Sequence, residues 1–130
     1  MTELNSDVQA SATTVVSRVV NSSINNVWAT LVSSKGQTAL LGEGAYLGTK
    51  GDTWKATDGT WGVTRTFHPL EELRFSWHAN LDAPKTWVKV ILTVLSPDQT
   101  RIELSHDPAG ADFDVTSMTA HWEAVLELIA

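Results

Sequence analysis

The run Thr100-Arg101-Ile102-Glu103-Leu104-Ser105-His106 sets Thr100, Ile102, Leu104 and His106 on one face and Arg101, Glu103 and Ser105 on the other, the period of a half-buried strand. Beyond it the period changes. Val115, Met118, Trp122, Val125, Leu126 and Ile129 fall on one stripe of a helix, roughly 16 residues and about 24 Å long at ~1.5 Å per residue. Asp112 or Asp114 can begin that helix, with negative charge at the positive end of its dipole. A strand handing over to one long terminal helix fixes how the rest of the chain is read. Upstream, Ser96-Pro97-Asp98-Gln99 is a turn and Trp87 to Leu95 a long strand. Leu73, Phe75 and Trp77 alternate with Arg74, Ser76 and His78, after a break at His68-Pro69-Leu70-Glu71-Glu72. Trp61 to Phe67 is a further strand, preceded by Thr57-Asp58-Gly59-Thr60 with the Asp-Gly pair of a tight hairpin. Thr53 to Ala56 and Tyr46 to Leu47 are short strand candidates.

Toward the N-terminus, Thr13 to Val20 is rich in Val and Thr and reads as a strand. Ser22 or Ser23 then caps a helix with Ile24, Val27, Trp28, Leu31 and Val32 at helical spacing. It ends near Ser33-Ser34-Lys35-Gly36, and Gln37 to Leu41 adds a short second helix. The expected fold is α+β: a curved antiparallel sheet of about six or seven strands wrapped round a long C-terminal helix, with one or two short helices after the first strand.

The chain has 130 residues, 42% hydrophobic and 18% charged, enough for one packed core and too few for two. A single domain is expected over 13–130, after a flexible polar segment, 1–12. No cysteine is present, which excludes disulfides and thiolate chemistry. Nine Lys and Arg against fifteen Asp and Glu give a net charge of −6, which argues against a nucleic-acid partner. The first residues have no signal-peptide pattern and no window is apolar enough to span a membrane, so a cytoplasmic location is expected. Asn21-Ser22-Ser23 fits a glycosylation sequon but reads as helix-capping chemistry. Six Trp, against one Tyr and three Phe, suggest a wide apolar interior or an aromatic-lined pocket.

This order of elements resembles the helix-grip fold of the START and birch-pollen-allergen (SRPBCC) superfamily. More narrowly, the chain is similar to the AHSA-type domain, related to activators of the heat-shock protein 90 ATPase, a branch with many bacterial members. The residues that carry the resemblance are Val27-Trp28, Gly51 to Trp54, Asp58-Gly59, Gly62, the run from His68 to Trp77, Thr100 to His106, Trp122 and Leu126. The family usually has Pro-Pro where this chain has Pro69-Leu70, and Gly-Trp where it has His121-Trp122. The resemblance implies a cavity for small apolar or amphipathic ligands between sheet and last helix; some members are cyclases and one branch stimulates a chaperone ATPase.

The chemistry-bearing residues form no catalytic motif. Gly42-Glu43-Gly44-Ala45-Tyr46-Leu47-Gly48 imitates a dinucleotide loop but has no helix after it to receive phosphates, so its glycines read as turn residues. His121-Trp122-Glu123 lacks the cysteines of a zinc deaminase. Asp107, Asp112 and Asp114 lack calcium-loop spacing, and His68, His78, His106 and His121 include no ligand pair, so no metal and no cofactor are expected. His106 is the one weak catalytic candidate, an acid or base with Arg65 as electrostatic partner. The favoured reading makes it a histidine hydrogen-bonded at a cavity rim, whose change to Asn leaves stability nearly unchanged. Trp28 and Trp122 read as core, and Trp77 shares a face with Leu73 and Phe75. Trp54, Trp61 and Trp87 line a pocket, cover a sheet edge or form a partner surface.

The function expected is non-catalytic binding of a small hydrophobic or amphipathic ligand, lined by Trp54, Phe75, Trp77, Val90, Leu92, Ile102, Leu104, His106, Met118 and Trp122. A chaperone-interaction or stress-response module is the alternative, and a cyclase-like or hydrolytic enzyme using His106 the second.

Overall fold

The computed structural model describes residues 13–83, 85–107 and 115–129, with only the backbone of 115–117. In chain order the elements are β1 (Thr14–Val20), α1 (Ile24–Leu31), α2 (Ser34–Leu41), β2 (Thr53–Lys55), β3 (Trp61–His68), β4 (Glu72–Trp77), β5 (Thr86–Ser96), β6 (Gln99–Asp107) and α3 (Val115–Ile129). The six strands form one antiparallel sheet in the order β1-β6-β5-β4-β3-β2. With three helices, the last C-terminal, this is the expected α+β helix-grip arrangement.

Cross-strand register assembles the core. Val16, Leu104, Val90 and Leu73 lie opposite one another along one inward row. His106, Val88 and Phe75 form the next, and Ile102 faces Leu92 in a third. All of these are buried. From the helices, Val27, Leu31, Leu40, Leu41, Trp122, Val125, Leu126 and Ile129 close on them in one hydrophobic cluster, with Met118 half-buried against it. Each fully buried Leu, Ile or Val contributes about 1.5–3 kcal/mol by leaving water.

Local chemistry explains where the elements begin and where two expectations fail. Ser23 caps α1, its Oγ accepting from the Asn26 amide at 3.3 Å. Ser33 closes α1 through its Oγ–H to the Thr30 carbonyl at 2.6 Å and also caps α2 by accepting from Gly36 N at 3.2 Å. The second helix therefore starts at Ser34 rather than Gln37. Tyr46–Leu47 is not a strand. The Leu47 amide donates to the Gln37 side-chain carbonyl at 2.7 Å and its carbonyl accepts from the Thr64 hydroxyl at 2.6 Å, so side chains take the bonds a neighbouring strand would have taken.

Ser76, which alternates with the inward Phe75 and Trp77, is nevertheless buried. Its hydroxyl accepts from the Val63 amide at 2.8 Å, beside the register shift between Thr64 and Thr66. Gly62 is required here: a Cβ on it would stand 1.8 Å from the Ser76 carbonyl oxygen and 2.7 Å from the Trp54 ring. The segment 1–12 and the capping candidates Asp112 and Asp114 lie outside the described residues.

Candidate functional site

Three strands bring Trp77, Thr86 and His106 to one end of the inner face. Trp77 pairs with Thr86 across β4 and β5, and Val88, two residues along, pairs with His106 across β5 and β6. α3 lowers Trp122 onto this corner. The Trp122 indole Nε1–H donates to His106 Nδ1 at 2.9 Å, His106 Nε2 lies 2.8 Å from Thr86 Oγ1, and the Thr86 hydroxyl donates to the Trp77 carbonyl at 2.6 Å. An indole nitrogen can only donate, so Nδ1 carries a lone pair and the neutral ring holds its proton on Nε2. That proton is directed at Thr86, whose own hydrogen goes to Trp77.

The rings reinforce the same arrangement: Trp77 and Trp122 each meet His106 edge-on, with centroids 5.1 and 5.5 Å away. Burial pushes the His106 pKa down from 6.5 to about 4, with a smaller repulsion from His121. His106 is hydrogen-bonded, as expected, but it is 0% exposed and sits within the core rather than at a rim. Arg65, expected as its electrostatic partner, is exposed on β3, three strands from β6 in the sheet, about 14 Å at ~4.8 Å per strand.

The other tryptophans separate by environment. Trp54 is buried edge-on against Phe75 at 5.8 Å, and its indole N–H has no hydrogen-bond acceptor among the described residues. Trp28 meets Phe67 edge-on beneath α1. Trp61 stacks on His78 at 3.9 Å and donates to the Asn80 carbonyl, covering the β3–β4 end of the sheet. Trp87 lies on the opposite, outer face with the Arg74 guanidinium 4.3 Å above its ring.

Of the ten residues expected to line a ligand site, nine are buried and Met118 is half-buried. The open space lies beside them. A cleft of about 600 Å³ runs between α2 and α3, walled by Ala39, Ala124, Val125 and Leu128, with Lys35 and His121 among its polar groups. It shares Thr38, Ala39 and His121 with a second cleft of about 160 Å³, whose lining includes Asp58, Thr60 and Trp77. Trp77 thus connects this space to the His106 corner. His121 is partly in solvent, yet its ring packs edge-on against Trp122 at 4.6 Å, and desolvation lowers its pKa below the usual histidine value. On the lining of the second cleft, Asp58, exposed in the turn before β3, accepts from both the amide and the hydroxyl of Thr60, at 3.0 and 2.6 Å, and these bonds lower its pKa. Neither Lys35 nor the α2 wall stands out in the sequence. His121 does, because it replaces a glycine in the pattern that the chain resembles.

No protein-family profile and no curated protein matches the chain in sequence. Solved structures do match it. DynU16, a protein of the dynemicin biosynthetic locus, is similar at 18% identity and a TM-score of 0.75, over 92% of this chain and 46% of that one. CalU16 from Micromonospora echinospora is 17% identical, with a TM-score of 0.76 over 90% of this chain and 73% of its own. PFC0360w, an HSP90 activator from Plasmodium falciparum, is 13% identical, with a TM-score of 0.73 over 90% and 92%. The chain spans about half the length of DynU16. At these identities the likeness is one of fold, and that fold is the α+β helix-grip. Among the described residues no helix is long and apolar enough to cross a membrane.

Proposed function

We propose that the protein binds a small amphipathic molecule, without transforming it, in the cleft between α2 and α3, with Trp77 at its inner wall. The observation that carries this reading is the pair of adjoining clefts, about 600 and 160 Å³, that share Thr38, Ala39 and His121. Small-molecule sites are concave, mostly apolar and of ~300–1,000 Å³, with a few polar groups that orient the ligand. Here aliphatic walls suit an apolar body, Lys35 and His121 suit an acidic head, and Asp58 with Thr60 suits a donor at the far end. The buried residues behind, from Phe75 to Leu104, act as the rigid support. His106, neutral and bonded to Thr86 and Trp122, acts in this reading as the post that fixes Trp122 rather than as an acid or base.

Titration of dodecanoate into ¹⁵N-labelled protein tests it. Saturable shifts of the Ala39 and Ala124 amides and the Trp77 indole are expected; shifts confined to other surfaces, or none at all, contradict it. A chaperone partner is the second reading, supported by the fold shared with an HSP90 activator.

A further inference from the structure

We infer that the outer face of the sheet around Trp87 is a docking site for an acidic protein segment. This is independent of the ligand cleft, which lies on the other side of the sheet. The sequence has nine Lys and Arg against fifteen acids, yet two of the nine lie over this one indole and a third, Lys89, borders the same cleft. The Arg74 guanidinium sits 4.3 Å from the Trp87 ring centroid and the Lys85 ammonium 5.4 Å. Lys89 lies directly opposite Arg74 across β4 and β5. None of the three forms an ion pair with a described residue. These positive charges stand close together without pairing to the acids of the same face, Asp107 at the edge of the cleft and Glu72 and Glu103 on the adjoining row.

The surface is shaped as well as charged. Thr13, Arg74, Trp87, Lys89, Ser105 and Asp107 bound a shallow cleft of about 280 Å³. Val15, 54% exposed, stands in the same cross-strand row as Lys89 and Arg74, joined through Ser105. Trp and Arg dominate the energetics of protein interfaces, and a guanidinium stacked on an indole keeps its N–H fork presented to a carboxylate. The occupant is therefore an acidic segment with an apolar side chain among its carboxylates. A nucleic-acid backbone fits less well, because Asp107 borders the cleft and Glu103 lies on the next row of the same face, confining the positive field to one end of the sheet.

The test uses the ¹⁵N-labelled chain and three probes: a short peptide of alternating Glu, Asp and Leu, the same peptide with Gln and Asn for its acids, and an oligothymidylate. The expected result is a saturable shift of the Trp87 indole with the acidic peptide alone. The double variant Arg74→Gln, Lys89→Gln should weaken binding about tenfold or more, and added salt should weaken it further. Both side chains lie on the outer face, so amide spectra and melting should stay those of the parent; Lys85→Gln, in the loop before β5, gives a second and milder loss. A Trp87 indole that does not move, a neutral peptide or oligothymidylate that binds as well as the acidic one, or a double variant that binds unchanged would each overturn the proposal.

Discussion

The Trp122 indole N–H and the Nδ1 lone pair of His106, 2.9 Å apart, tie the terminal helix to the sheet, and the tie exists only while the imidazole is neutral. Protonation at Nδ1 would set two donors against each other in a site without water access. The folded-state pKa is about 4, below the ordinary 6.5. Above 6.5 the group is neutral whether folded or unfolded and costs nothing. As pH falls below 6.5 the unfolded chain takes the proton first, so stability drops until the folded state also binds it near 4; the whole loss is about 3 kcal/mol. Urea unfolding of the parent at pH 7, 5.5 and 4 measures this. His106→Asn, too short to reach both Thr86 and Trp122, should cost about 1–3 kcal/mol at pH 7 and flatten the profile. Equal parental stability at pH 7 and 5 would contradict the assignment of a neutral, desolvated ring.

Two tryptophans of similar burial should respond differently to the same substitution. Trp122→Phe keeps most of the ring but removes the indole donor to His106, an expected loss of about 1–3 kcal/mol, while Trp122→Ala also opens a cavity and should cost about 3–5. Trp54→Phe removes a buried donor that has no acceptor among the described residues, so it should be close to neutral. Thermal melts of the three variants decide the matter. A Trp54→Phe protein that melts as low as Trp122→Phe would show that the Trp54 N–H is paired.

Leu70 has a φ of +69° at the third position of the turn His68-Pro69-Leu70-Glu71, which closes with the Glu71 amide on the His68 carbonyl at 3.0 Å. That is the pattern of a type II turn, in which glycine or asparagine is favoured at this place. Leu70→Gly should raise stability by about 1 kcal/mol, and Leu70→Pro should lower it, since a proline ring fixes φ near −65°. Chemical denaturation of both variants checks the order. The Pro-Pro of the family pattern cannot adopt this turn, so the departure at Leu70 is a change of backbone geometry as well as of sequence.

Alternation made the strands legible: Leu73, Phe75, Ile102 and Leu104 were assignable to the inner face from period alone, and the helical stripe gave Trp122, Val125 and Leu126. What period cannot show is a side chain that replaces a backbone partner. Gln37 and Thr64 prevent Tyr46–Leu47 from joining the sheet, and Ser76 is buried because its hydroxyl serves the Val63 amide. The candidate site was legible only in its floor. Its walls, Ala39 and Ala124, are ordinary helix residues whose convergence depends on how α2 packs against α3, a relation between distant segments that no local pattern encodes. His121 was visible as a departure from glycine, yet its place between the two clefts required the fold.

The most direct measurement of the ligand-cleft reading is binding of 1-anilinonaphthalene-8-sulfonate, an amphipathic anion, to the parent and to Ala124→Trp. Ala124 is exposed on α3 and lines the large cleft, so the indole should fill the cleft without entering the core. The account predicts blue-shifted, saturable emission with the parent, displaced by dodecanoate, and an affinity at least about tenfold lower in the variant at an unchanged melting temperature. Equal binding by parent and variant, or no dodecanoate-sensitive binding by the parent, would contradict it.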